Sequence, residues 1–241
     1  EWIKKCVSEG AGEVVVNSIG EVDFASGAFA TITSSATSVG TTYVTVVELS
    51  KDVYIADIGG VFGIKLASVV IAEGNPYYTA IDDIVYDVEM TRIIFYPSAK
   101  QGAYTTPETV TTIGEKVFTQ KTGLTEITIG KNVTEIGSFA FNGCTNLEKV
   151  TFADGGTAGL VISNEAFANC SKLAEVNLPV RLVSISAGAF RSCRAITEIV
   201  IPEGVESIGA EAFQWCSSLV RVSLPKTLSS LGYTESGSEL Y

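Results

Sequence analysis

Apolar and polar residues alternate in short runs that recur along the C-terminal half of the chain. In residues 124–144, LTEITIGKNVTEIGSFAFNGC, Ile127 and Ile129 alternate with polar residues, which is typical of a short strand with one buried face. The turn signal GKN follows, and then a second short apolar segment. Phe141 and Cys144 stand three residues apart, a spacing that suits one helical or 3₁₀ turn. The unit predicts strand, turn, second strand and helical turn.

This unit repeats. The motif occurs as AFNGC, AFANC, AFRSC and AFQWC, with phenylalanine separations of 26, 23 and 23 residues and the same separations between the cysteines. Residues 173–193 and 196–216 fit the full frame, and the longer unit carries three extra residues around DGGTAG (154–159). A period of this length lies in the range of leucine-rich repeats. The sequence therefore predicts a stack of similar units.

The frame weakens towards the N-terminus. Residues 109–124 keep its apolar positions, including Phe118, but have Lys121 where the cysteine would stand. Residues 44–63 keep most apolar positions with one added residue, and residues 16–24 keep fewer. We expect the repeat to be regular from about residue 106 to 231, in keeping with stacked units that share one core.

Equivalent residues of stacked units lie about 4.8 Å apart, so distance alone permits a disulfide between neighbouring cysteines. The side chains should nevertheless point in parallel into the core, where free cysteine packs as a small hydrophobe. A reactive thiol would need a nearby cation or helix N-terminus, and zinc would need close ligand pairs. The frame thus predicts a buried structural ladder, whose members are Phe118, Phe141, Phe167, Phe190, Phe213, Cys144, Cys170, Cys193 and Cys216.

The frame L-x-x-I-x-I-P-x-x-V-x-x-I-G-x-x-A-F-x-x-C resembles the leucine-rich repeats of BspA-like bacterial surface proteins over most of residues 44–231. NPYYTAIDDIVYDVEMTRIIFYP (75–97) resembles the hairpin insertion that interrupts such arrays, with two short strands around DVEMT. The resemblance implies an extracellular or cell-surface solenoid that acts in adhesion or binding. It carries over no catalytic residue.

Composition narrows the functions further. The chain is 46% hydrophobic and has a net charge of −11, so nucleic acid is a poor partner. It has no histidine, which removes the commonest general base and metal ligand. No apolar run reaches the roughly 20 residues of a membrane helix. The chain begins at Glu1 and its one methionine is Met90, so we expect a trimmed form from which a signal peptide could have been removed.

Two kinds of surface are candidates for binding, and for each an ordinary structural role stays open. The outward strand positions form columns that either are plain solvated surface or bind a protein or glycan: Glu126, Lys149, Glu175, Glu198 and Arg221, and beside them Thr128, Thr151, Asn177, Val200 and Ser223. Aromatic residues either cover the hairpin and the neighbouring turn or contact a ligand: Tyr77, Tyr78, Tyr86 and Trp215.

We predict a β-rich leucine-rich-repeat solenoid, right-handed and curved, of about six to eight units. The expected parts are an N-terminal cap or degenerate repeat (1–43), the solenoid (44–231, with the insertion at 75–97) and a C-terminal cap or tail (232–241), together one continuous domain. The predicted function is non-catalytic binding of a protein or glycan at the cell surface, without metal or cofactor. A structural spacer, and an enzyme that uses the N-terminal region, are the alternatives.

Overall fold

The structure is a computed structural model. It describes residues 13–16, 28–32, 44–49, 51, 54, 58 and 66–232, with side chains from residue 47 onward. The chain divides into two compact units, residues 1–100 and 101–241. The predicted domain bounds stay predictions, and residues 233–241 of the predicted C-terminal tail lie outside the described part of the chain.

The N-terminal unit contains a parallel sheet in the order β1-β2-β3-β4. Its strands are β1 (Glu13–Val16), β2 (Ala28–Ile32), β3 (Val44–Leu49) and β4 (Ser68–Ile71). Glu13 pairs with Phe29 across the first two strands, and Val47 pairs with Val69 across the last two. Parallel stacking therefore begins within residues 1–43, where the step along the chain from strand to strand is shorter than in the later repeats.

An antiparallel meander follows in the same unit, formed by β5 (Tyr78–Ile81), β6 (Ile84–Asp87) and β7 (Arg92–Phe95). Strands β6 and β7 flank the DVEMT segment, and β5 is an additional strand. The β5–β6 turn is made by Asp82 and Asp83, both with positive φ (50° and 64°), as a two-residue type I′ hairpin requires. Because this turn contains no Asn-Gly or Asp-Gly pair, the usual sequence signal for the hairpin is missing.

The C-terminal unit stacks its strands on two sides. On the first side β8, β10, β12 and β14 form one parallel sheet, and β16 pairs with β18; on the second side β9, β11, β13, β15, β17 and β19 are hydrogen-bonded in that order. The strands are β8 (Gly102–Thr105), β9 (Thr112–Ile113), β10 (Leu124–Ile129), β11 (Glu135–Ile136), β12 (Lys149–Phe152), β13 (Leu160–Ile162), β14 (Glu175–Val176), β15 (Leu182–Ile185), β16 (Glu198–Val200), β17 (Ser207–Ile208), β18 (Arg221–Ser223) and β19 (Ser230–Leu231).

The register of these strands reproduces the sequence period. Glu126 pairs with Lys149, one regular period further along the chain. Lys149 pairs with Glu175, and this longer step is the one expected for the unit with three extra residues. The predicted β-rich solenoid is confirmed, with about seven turns and repeats of about 23 residues, and almost none of the residues that the structure describes is helical.

The third side of each unit is a run of hydrogen-bonded turns rather than a regular helix. Within 139–144 the Asn142 N–H donates to Phe139 O, whereas the Phe141 N–H donates to Ala166 O of the next unit. Phe139 and Gly143 have positive φ (57° and 75°), which a right-handed helix does not allow. Because alternate N–H groups bond to the neighbouring unit, the chain cannot continue as a helix.

The core beneath these turns is a stack of phenylalanine rings. Phe141 and Phe167 are parallel to within 3°, with centroids 4.8 Å apart, and Phe167 and Phe190 are parallel to within 5° at 5.3 Å. Phe118 extends the stack at one end and Phe213 at the other, where Phe213 is only half-buried. The ladder positions predicted from sequence thus lie together in one column.

The extra residues of the longer unit are accommodated by Arg181. Its buried guanidinium donates to the carbonyl oxygens of Val133, Gly130 (3.2 Å) and Ala158 (3.5 Å). A Cβ placed on Gly156 would lie 2.2 Å from Lys131 O and 2.7 Å from Arg181 Nε, so this position requires glycine. One arginine side chain therefore connects its own unit to the two preceding ones.

Candidate binding surface

The outward face of the first side brings together most of the predicted charged column. Glu126, Lys149 and Glu175 are successive partners across β10, β12 and β14, with their side chains at the surface. Glu198 and Arg221 are partners across β16 and β18. Since β14 and β16 belong to different sheets, the strand ladder is interrupted between Glu175 and Glu198. The column is therefore two segments rather than one continuous row.

Opposite charges neutralise each other within both segments. Lys149 Nζ lies 2.8 Å from a Glu175 carboxylate oxygen, and this hydrogen bond raises the pKa of Lys149. The Arg221 guanidinium lies 3.3 Å from both carboxylate oxygens of Glu198. Exposed ion pairs of this kind contribute little to stability. They instead give the face a fixed pattern of charge that a partner could recognise.

The neighbouring polar column is less regular. Thr128 and Thr151 are direct partners on β10 and β12, and Val200 and Ser223 are partners on β16 and β18. Asn177 is exposed, but it follows the end of β14 and lies outside the strands. This column therefore combines small polar residues with the exposed apolar side chain of Val200.

Trp215 is exposed over 63% of its surface and has a φ of 62°. Its register mates Gly143, Asn169 and Ser192 share the positive φ, and the turn imposes this conformation on each unit. The left-handed region is unfavourable for a bulky side chain. The turn therefore holds an exposed tryptophan in a backbone conformation that is unfavourable for its side chain.

Further apolar side chains are exposed on the last described turn. Val222 and Leu224 are exposed, although their counterparts Ile199 and Ile201 in the preceding unit are buried. Val222 and Leu224 are exposed because no later unit among residues 66–232 stacks on this turn. The predicted cap at 232–241 lies almost entirely outside the described residues.

Four tyrosines of the N-terminal unit are considered as ligand contacts, and their solvent exposure differs. Tyr78 and Tyr86 are buried, which removes them from any surface that a ligand could touch, whereas Tyr77 is 43% exposed. The sequence interpretation missed Tyr54, which is 49% exposed and lies 5.3 Å from Tyr77 between ring centroids. Tyr54 belongs to another repeat, and the local density of aromatic residues in the insertion gave no indication of it.

The thiols of the predicted ladder are buried and hydrogen-bonded to backbone carbonyl oxygens. The Cys144 Sγ–H donates to Phe118 O at 2.9 Å, and the Cys170 Sγ–H donates to Phe141 O at 3.2 Å. Cys193 and Cys216 repeat this contact with Phe167 and Phe190. Burial raises the pKa of Cys144 and of Cys216 to about 12. Because the thiolate is the nucleophile, these groups are unreactive in the folded protein.

Lys121 occupies the cysteine position of the ladder's first unit and is only 5% exposed. Burial lowers its pKa to about 8, with an opposing contribution from Cys144. The folded protein therefore holds a cationic group in a column that elsewhere contains neutral thiols. This ionisable group lies within the core and not on the candidate surface.

Within the described ranges, no three carboxylate or thiol groups converge in a way that could hold a metal ion. In the same part of the chain, no helix is both long and apolar enough to pass through a membrane.

Comparison with known protein families shows to which family the chain belongs. The model of the BspA type leucine rich repeat region matches residues 89–159 and 159–235, with six copies. The matched residues cover more than half of the chain. This chain is a BspA-type leucine-rich repeat protein. The resemblance seen in the repeat frame is thereby confirmed. No curated protein matches this BspA-type chain.

Solved structures share the fold. A leucine-rich cell surface protein from Faecalibacterium prausnitzii is 22% identical, with a TM-score of 0.68 over 86% of this chain and 59% of its own. A leucine-rich repeat protein from Bacteroides ovatus is 23% identical, with a TM-score of 0.59 over 92% and 57% of the two chains. The pneumococcal vaccine antigen PcpA is 16% identical, also with a TM-score of 0.59, over 92% and 62%. This BspA-type chain thus spans less than two thirds of each of these proteins.

Proposed function

We propose that this BspA-type protein is displayed on or secreted from a bacterial cell, and that it binds a protein or glycan without catalysis. The observation that carries the proposal is the outward face of β10, β12, β14, β16 and β18, where exposed side chains recur in register. A stacked sheet offers a broad, shallow surface of this kind to a partner. Two proteins that share the fold support the surface location: the F. prausnitzii protein is a cell surface protein, and PcpA is a vaccine antigen.

The placement of the reactive side chains supports binding over chemistry. The thiols of Cys144, Cys170, Cys193 and Cys216 are buried and bonded to backbone carbonyls. The carboxylates of Glu175 and Glu198 lie on open sheet and are paired with cations. An acid–base pair needs burial and convergence on a substrate, which an open sheet face does not supply.

The test is a binding screen against extracellular-matrix proteins, mucins and glycans by surface plasmon resonance. We expect saturable binding by the parent chain. The double charge reversal Lys149→Glu, Arg221→Glu should weaken that binding if the charged column is the contact surface. The matched double reversal Lys116→Glu, Arg194→Glu changes the same net charge off the column and should have a smaller effect.

Other outcomes discriminate among the alternatives. Binding that survives the column reversal but is lost in Trp215→Ala would move the contact to the C-terminal turn. Absence of saturable binding across the panel, with the fold intact by circular dichroism, would contradict the proposal and favour a structural spacer.

A further inference from the structure

Three tyrosines from two separate segments form a compact cluster in the N-terminal unit, which we name the tyrosine platform (Tyr54, Tyr77 and Tyr78). Tyr54 and Tyr78 are parallel to within 3°, with centroids 6.0 Å apart. Tyr77 meets Tyr54 at 63° and 5.3 Å. Since Tyr54 and Tyr77 are each nearly half exposed, the platform presents two aromatic rings at an angle to solvent.

The platform is held in place before any ligand arrives. Asn75 is buried, and its Oδ1 accepts hydrogen bonds from the backbone N–H groups of Tyr77 (2.9 Å) and Tyr78 (3.1 Å). The Tyr77 carbonyl in turn accepts a hydrogen bond from the N–H of Val88, which directly follows β6. These bonds fix the backbone of Tyr77 and Tyr78, and a preorganised backbone lowers the conformational entropy lost on binding.

The chain segment that contains Tyr77 and Tyr78 is acidic. From residue 66 to residue 91 the chain contains five carboxylates and no lysine or arginine: Glu73, Asp82, Asp83, Asp87 and Glu89. Asp87 is the direct cross-strand partner of Tyr78. Two basic residues border this segment: Lys51 Cε would lie 3.6 Å from a Cβ on Gly74, and the Arg92 N–H donates to Asp87 Oδ1 at 2.7 Å. The carboxylates outnumber them. The local charge is therefore negative, as is that of the whole chain.

We propose that the tyrosine platform binds lysine or arginine side chains of a basic peptide segment in a protein partner. A cation over a tyrosine ring is attracted by the negative face of the π system, and nearby carboxylates strengthen that attraction. Sulfated or sialylated glycans carry negative charge and are repelled by the same carboxylates. This inference rests on the proposed binding function and names the class of partner that the tyrosine platform binds.

The probe is a short fluorescent oligolysine peptide, with a glycine–serine peptide of equal length as the neutral comparison. Affinity is measured by fluorescence anisotropy at low and high salt. The variant Tyr54→Leu, Tyr77→Leu keeps apolar surface but removes the ring faces, whereas Tyr54→Phe, Tyr77→Phe keeps them. Val180→Ala removes an exposed apolar side chain outside the platform. Circular dichroism and thermal melting check the fold of each variant.

We expect oligolysine to bind the parent and the Phe pair alike, and the Leu pair about five-fold or more weakly, as loss of two cation–π contacts implies. Val180→Ala should bind like the parent, and the neutral peptide should not bind. Equal affinity of the parent and the Leu pair would overturn the inference, because it would show attraction by net charge alone. Ring-dependent binding of a neutral or acidic glycan in place of oligolysine would also overturn it. In either case, saturable binding on the extracellular panel would leave the proposed function standing.

Discussion

The phenylalanine stack makes a quantitative prediction for Phe167→Ala. Phe167 is fully buried and lies between Phe141 and Phe190, with ring centroids 4.8 and 5.3 Å away. Alanine would remove the ring from both contacts and leave a cavity between two units. Because each unit of a solenoid is stabilised mainly by its neighbours, the damage should reach the units on both sides.

The magnitude follows from burial and from the number of ring contacts. Truncation of a fully buried phenylalanine costs about 3–5 kcal/mol of unfolding free energy. Phe213 is half-buried and stacks on Phe190 alone among the described phenylalanines. We therefore expect Phe213→Ala to cost roughly half as much, about 1.5–2.5 kcal/mol. The difference between the two variants is the quantity that tests the stack.

Urea unfolding followed by far-ultraviolet circular dichroism measures both variants, with the slope of the transition checked for loss of two-state behaviour. Phe167→Leu, which retains much of the volume but no ring, should fall between Phe167→Ala and the parent. A loss for Phe213→Ala equal to or larger than that for Phe167→Ala would refute the reasoning. A loss of unfolding free energy below about 1 kcal/mol for Phe167→Ala would also refute the reasoning, because removal of a buried ring from a packed column costs more than this.

Three further predictions concern Lys121, Cys144 and Gly156 of the C-terminal unit. Lys121→Met should change the pH dependence of stability: the pKa of Lys121 is lowered from 10.5 to about 8 in the folded protein, so the unfolded state binds more protons between these values and parent stability should rise with pH. Relative to Lys121→Met, we expect the unfolding free energy of the parent, measured by urea titration, to rise by roughly 2–3 kcal/mol between neutral pH and pH 10.5. If the difference in unfolding free energy between parent and variant does not change with pH, the burial of this amine is contradicted. The pKa of Cys144 is raised from 9.0 to about 12, so its contribution to stability should be complete below pH 9.0 and be lost as pH rises towards 12; Cys144→Ala should flatten this alkaline loss. Native Cys144 should also resist iodoacetamide until urea is added, as peptide mass mapping would show. Gly156→Ala should destabilise by about 2 kcal/mol or more because its Cβ would meet Lys131 O at 2.2 Å. Gly143→Ala, where φ is positive but no contact is below 3.2 Å, separates the cost of backbone strain from the cost of such a clash. A loss within about 0.5 kcal/mol of zero for Gly156→Ala would contradict the close approach to Lys131.

Much of the fold could be predicted from periodicity. Phe141, Phe167 and Phe190 recur with cysteines at constant offset, and stacking is the arrangement that buries every copy of such a face at once. The spacing also predicts the register, since Glu126 and Lys149 stand one period apart and are direct strand partners. The turns on the third side were predicted less well, because their geometry depends on hydrogen bonds to the neighbouring unit.

The candidate surface could be predicted only in part. Periodicity assigns a residue to a column, but exposure depends on which other segments cover it. Tyr78 and Tyr86 look equivalent to Tyr77 in the sequence, yet they are buried and Tyr77 is not. Tyr54 joins Tyr77 from a different repeat, and no local pattern connects the two.

The sequence by itself determined the repeat, its core positions and the order of strands along the chain, because these follow from short-range spacing of apolar residues. Only the tertiary structure decided where the ladder on the first side breaks, which tyrosines remain at the surface, and how Arg181 connects three units. Each of these depends on contacts between residues distant in sequence. Arg181, for instance, donates to the carbonyl of Gly130, two units earlier in the chain. Contacts over such separations depend on packing and leave no periodic trace in the chain.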